Sequence, residues 1–163
     1  MLGLLLLRHA KSDWHADYGD DRARPLNRRG QKAAKTMGRF LAGAAQRPDA
    51  AITSPAVRAA DTLRLAMTAG DWDCPVRTAS GLYGAGVSGL VAEIRKEPIA
   101  TEVLLAVGHE PTWSDAATAF IGGSRIRFPT AALARIDFDV DRWKDVAPDT
   151  GELAWLVTPR LLD

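Results

Sequence analysis

Apolar positions along this chain fall into two patterns. Short unbroken runs occupy residues 2 to 7, 50 to 53 and, around VLLAV, 102 to 107. Runs this short and this continuous predict strands buried on both faces, as in a parallel sheet. Between them the spacing changes. Ala33, Ala34, Met37, Phe40, Leu41 and Ala44 recur at three- and four-residue steps, which predicts a helix over 29–46. Ser54-Pro55 reads as the start of a second helix, with Ser54 as N-cap, ending near Ala69 before Gly70. A third helix is expected over 86–96, stopped by Pro98, and a fourth from Pro111 to about Ile121. A short strand is expected at 76–78, and the alternation over 131–139 and 152–158 predicts two more strands, paired near one edge. Residues 10 to 28 are polar, with Gly19 and Pro25, and read as loop.

Strands alternating with helices specify an α/β chain, a three-layer α/β/α sandwich with a mainly parallel sheet and an antiparallel edge. At 163 residues one domain spanning 1–163 is expected. A net charge of +1 supplies no general attraction for nucleic acid or an anionic membrane, so any phosphate recognition must be local. Cys74 is the single cysteine and cannot pair within the chain. The apolar start has no preceding basic residue and meets Arg8 at once, unlike a secretory leader. No apolar run reaches the roughly 18 residues of a membrane span, and the cytoplasm is the expected location.

Open α/β sheets bind ligands beyond the carboxyl ends of their strands. The first strand ends in Arg8-His9, the second in Ser54-Pro55 with Arg58 one turn on, and the 102–107 strand in Gly108-His109. Two arginines there can fork phosphoryl oxygens, and a neutral histidine is a competent nucleophile toward phosphorus. Taken singly, each residue has an ordinary reading. His9 could bond a carbonyl, Arg58 could pair with Asp61, and His109 could be a turn residue. Their recurrence at equivalent strand ends favours a site.

Four stretches then carry a resemblance: LLLLRHAKSDW (4–14), RPLNRRGQKAA (24–34), SPAVRAADT (54–62) and VGHEPTWS (107–114). In order and spacing they resemble the histidine phosphatase superfamily, the phosphoglycerate-mutase-like fold, and among its members the small bacterial phosphohistidine phosphatases. The resemblance implies that His9 is the nucleophile that becomes phosphorylated. It implies that Arg8, Arg58 and His109 complete a phosphate pocket that uses no metal or other cofactor. Ala10 stands where the family usually has Gly. Only residues 59 to 108 separate Arg58 from His109, which leaves no room for a large capping insertion. The stretch LYGAG (82–86) lacks the acid that mutase-like members carry nearby. Glu110 is the best substitute acid, with a helix N-terminal role as the alternative; Asp13 and Asp17 are weaker candidates.

The implied partner is a protein bearing phosphohistidine, or else a small phosphorylated metabolite; a phosphate-binding module with little turnover is a further alternative. A metal-dependent hydrolase is disfavoured because the histidine spacing fits no short zinc motif. Ser12, with Lys11, Arg22 and Arg24, could contact phosphate or a protein substrate, or simply be solvated. Trp14 and Tyr83 line the entrance or pack; His15 is expected at the surface. RIRF (125–128) is a basic edge facing a partner or a solvated segment.

Overall fold

The computed structural model describes residues 1–163. One sheet holds six strands: β1 (Leu2–Arg8), β2 (Ala50–Thr53), β3 (Val76–Thr78), β4 (Val103–Gly108), β5 (Leu133–Phe138) and β6 (Gly151–Val157). Their spatial order is β3-β2-β4-β1-β5-β6. The first four are parallel, while β5 runs antiparallel to β1 and β6 antiparallel to β5. The expected antiparallel edge is therefore the β5–β6 pair.

The leucines of β1 explain the unbroken apolar run. Leu4 and Leu6 point into one core with Trp113 and Phe120, and Leu5 and Leu7 into the other with Met37 and Leu63. All four are fully buried. Alternate side chains of a strand face opposite sides, so a strand covered on both faces must be apolar at every position. Each such leucine contributes roughly 1.5–3 kcal/mol, as an upper estimate.

Four helices cover the sheet: α1 (Arg28–Gly43), α2 (Val57–Gly70), α3 (Gly86–Ile94) and α4 (Thr112–Phe120). Asn27 caps α1, its side-chain oxygen accepting from Gly30 N–H at 2.8 Å, so the helix begins one residue before the predicted start. It also ends earlier than residue 46, where Ala45 takes a positive φ. The start of α2 differs more. Ala56, not Ser54, is the flanking residue, and it is extended. Ser54 Oγ instead accepts from Ala56 N–H at 3.2 Å in a local turn, which delays the helix by two residues. The loop at 10–28 is ordered by an isolated bridge between Ser12 and Leu26 and a 3₁₀ turn at Asp21–Ala23.

Candidate active site

The sheet register sets the three strand ends level. Leu7 and Thr53 both pair with Val107, so Arg8, Gly108 and Ser54 form the next row and His9 and His109 the one beyond. His9 N–H donates to Gly108 C=O at 2.9 Å, and the two imidazole centroids lie 5.1 Å apart. Arg8, His9, Arg58 and His109 are thus brought to one place.

His9 is buried, and its Nδ1 lies 2.7 Å from Ala10 C=O. A carbonyl can only accept, so Nδ1 carries the proton and Nε2 keeps its lone pair. Its pKa falls to about 3, first because burial disfavours the cation and then because His109, Arg58 and Arg8 repel it. Burial is the larger cause. His109 falls to about 4, again chiefly through burial, with Arg58, Arg24 and Arg8 adding to it and Asp21 opposing. Both imidazoles are neutral at pH 7 in the free protein. His109 Nε2 meets Ser54 Oγ at 2.8 Å.

The arginines are held from behind. Arg8 Nη1 donates to Phe128 C=O at 2.9 Å. Arg58 Nη1 donates to Asp21 C=O at 2.8 Å and Nη2 to the Asp21 carboxylate at 3.0 Å, so it does not pair with Asp61, which pairs with Arg64. Arg24 is buried as well, donating to the other Asp21 oxygen at 2.9 Å and lying 3.5 Å over the Trp14 ring. Buried Nε of Arg8, Arg24 and Arg58, Nη1 of Arg24 and Nδ1 of His109 have no partner in the chain. Buried donors are rarely left unpaired, and a cluster of them on three neighbouring arginines fits an anionic ligand.

Asp21 is the residue that sequence reasoning missed. It joins Arg24, Arg58 and Tyr83, whose hydroxyl donates to it at 2.8 Å. Burial tends to raise its pKa, but hydrogen bonds from Tyr83 and Arg58 and the arginine charges outweigh that and lower it. The signal in DDRARPL was an acid interleaved with arginines, hard to separate from loop solvation. Tyr83 also meets His109 edge-on at 5.6 Å, which places it beside the site, while Trp14 is exposed and stacks on Arg24. Glu110 adjoins Arg8, yet both its oxygens accept from Ser114, from N–H at 2.8 Å and Oγ at 2.7 Å. That is the helix N-terminal role. Asp13 accepts from His15 N–H in the exposed loop, and Asp17 is exposed. Ser12 is buried at the bridge to Leu26. Ala10 is wholly buried against the α1–α2 core, its N–H donating to Thr62 Oγ1, so its methyl packs away from solvent. No three His, Cys, Asp or Glu side chains gather in a way that could hold a metal.

Fold and site together define an α/β protein with a buried cluster of arginines and histidines at the strand ends. The model of the histidine phosphatase superfamily (branch 1) matches residues 4–97. An uncharacterised protein of Mycobacterium tuberculosis is 37% identical over 94% of this chain and 100% of its own length. The chain belongs to the histidine phosphatase superfamily and is an enzyme of the phosphatase class. A Nakamurella multipartitia protein provisionally assigned as the phosphohistidine phosphatase SixA superposes with a TM-score of 0.83, at 26% identity, covering 97% of this chain and 96% of that one. The protein histidine phosphatase SixA complexed with tungstate shares the fold, with a TM-score of 0.80 at 20% identity over 99% and 100% of the two chains. The phosphoglycerate-mutase-like α/β fold is thereby established. No helix is long and apolar enough to cross a membrane.

Proposed function

We propose that this chain is a metal-independent phosphohistidine phosphatase acting on a signalling or phosphotransfer protein. Neutral His9 attacks phosphorus in line through Nε2. Arg8, Arg58 and His109 hold the equatorial oxygens, with Arg24 adding a further buried cation. The bond from phosphorus to the leaving nitrogen breaks as the His9–phosphorus bond forms, and its electron pair returns to the departing imidazole. Water then attacks phospho-His9 and releases phosphate. The arriving dianion favours a proton on His109, which is neutral in the free protein.

The observation that carries the choice of substrate is the state of the two carboxyls beside the site. Glu110 is bound at both oxygens by Ser114, and Asp21 is held as a carboxylate by Arg24, Arg58 and Tyr83. Neither is a ready proton donor. An alkoxide leaving group needs one, whereas an imidazole with a pKa of about 6.5 can leave already protonated near neutral pH.

The test is a paired assay in the presence of a chelator. Rapid loss of phosphate from a phosphohistidine-bearing phosphotransfer domain, with poor turnover of an alkyl phosphate, is expected. Efficient ester hydrolysis with no activity on phosphohistidine would replace the proposal with a small phosphomonoester substrate.

A further inference from the structure

A second group of cations stands beside the first. Lys11, Arg29, Lys32, Arg127 and Arg160 line one cavity of about 600 Å³, where Asp163 is the only acid and Ala33 the only hydrophobic residue. The five come from four segments that are distant in sequence. The chain's ion pairs engage Arg24, Arg58, Arg64, Arg77, Lys96, Arg135 and Arg142, and none of these five. All five are exposed. With 21 basic and 20 acidic residues overall, the rest of the chain is net acidic, so the cluster is not a by-product of a basic protein. Five cations gathered around the single acid Asp163 repel one another, and the excess positive charge creates a local field that attracts anions.

The cavity shares a wall with the candidate active site. On one side of the 127–131 segment, Phe128 C=O receives Arg8 Nη1 at 2.9 Å and Ala131 N–H donates to His9 C=O at 3.2 Å. On the other, Arg127, Pro129 and Thr130 line the cavity. Lys11 lies two residues past His9, at most about 7 Å along the backbone. Its carbonyl accepts from Asn27 N–H at 3.0 Å, and Gly30 packs on its backbone so closely that a methyl group there would strike it. The start of α1, which carries Arg29 and Lys32, is thus fastened to the lip of the site.

We infer that this cavity is a docking site for acidic residues flanking the phosphohistidine of the protein substrate, an inference that rests on the reading of the substrate given above. An extended peptide advances about 3.3 Å per residue, so an Asp or Glu two to five residues from the phosphohistidine can reach the cavity while the phosphoryl group faces His9. The lining sets five cations and the hydroxyls of Thr130 and Thr158 beside Ala33, Pro129 and Pro159, and the excess of cations over acids suits carboxylates.

The experiment uses two synthetic peptides, each with one phosphohistidine. In one, glutamates occupy the positions two to five residues from it on both sides; in the other, glutamines do. The expected result is a KM at least tenfold lower for the glutamate peptide, with equal kcat and with the difference fading as salt rises. The double variant Arg29→Glu/Lys32→Glu should raise that KM to the glutamine value and leave the glutamine peptide unchanged; Arg160→Glu should do so in part. Acids in the first turns of α1 suit the helix dipole, so the fold should hold. Equal KM values in the unmodified protein would overturn the docking site alone, as would a double variant that loses the same factor on both peptides. An unmodified protein that hydrolyses an aryl phosphate but neither peptide would instead remove the reading of the substrate, and this site with it.

Discussion

Two ionic networks in this protein use the same residue types in opposite ways. Near α3, Arg77 is part-exposed and the acids are buried. It donates to Glu93 at 2.6 Å, to the Glu93 carbonyl at 3.1 Å and to Glu97 at 2.6 Å, while Lys96 reaches the other Glu93 oxygen at 3.0 Å. Each carboxylate has a cation, and burial of Glu93, which would raise its pKa, is outweighed by Arg77 and Lys96. At the strand ends the cations are buried instead. The side chains of Arg24 and Arg58 are 5% and 7% exposed, and that of their shared Asp21 is 46% exposed. Donors there remain unspent. The first network is complete and fastens β3 to α3. The second leaves buried donors unpaired.

Substitutions should separate the two networks. The largest effect is expected for His9→Ala, which should abolish turnover and acid-labile phosphate labelling while keeping the far-UV circular dichroism of the parent. Full activity in that variant would sink the proposed mechanism. Arg58→Ala should lower kcat/KM about 100- to 1000-fold, the usual loss for one preorganised donor at a developing charge. A change under threefold would show that its unspent donor never meets phosphate.

The pH dependence comes next. The His9 pKa is about 3, so the proposed nucleophile stays neutral throughout the pH range 5–8. The leaving imidazole, with its pKa of about 6.5, gains its proton there, so kcat/KM on phosphohistidine should rise more than about tenfold from pH 8 to pH 6. An aryl phosphate should show no such rise. Stability has the opposite sign. Both histidines titrate lower in the folded state than the ordinary 6.5, near 3 for His9 and near 4 for His109. The unfolded chain then binds more protons as pH falls from 6.5, and the melting temperature should drop over that window, less steeply in His9→Ala.

A smaller effect is expected at Asp21. Asp21→Asn keeps an acceptor for the arginines but removes a negative charge facing the pocket. Inorganic phosphate should then inhibit at concentrations about three- to tenfold lower, a plausible size for one charge removed at the rim of a pocket. Inhibition weaker than in the parent would mean that the lost grip on Arg58 and Arg24 matters more than the lost repulsion. Arg77→Ala should have the smallest effect on chemistry. Its kcat/KM should match the parent, while a buried Glu93 left with Lys96 alone should cost about 2 kcal/mol, or about 5 °C in melting temperature. A large loss of activity would break the contrast between the two networks.

Much of this was legible in the residue order. Leu4 to Leu7 predicted a strand buried on both faces, and RHA, SPAVR and VGHEP placed one or two chemical residues at each of three strand ends. Those are local patterns, set by side-chain periodicity and turn chemistry. What needed the tertiary structure depends on contacts between distant segments. Asp21 and Arg58 are 37 residues apart in sequence, and the fold joins them with two hydrogen bonds. The hydrogen bonds that Glu110 accepts come from a neighbour four residues on, Ser114, in the first turn of α4. The pKa of His9 follows from burial, which no single residue specifies. The five cations of the cavity arrive from positions 11, 29, 32, 127 and 160, and nothing in sequence links them. Sequence alone determined the strand-end chemistry, because a strand's last residue and the turn after it are neighbours in the chain. The carboxylate that holds the arginines and the basic cavity beside them were decided by the tertiary structure, because only the sheet register and the packing of α1 bring those groups together.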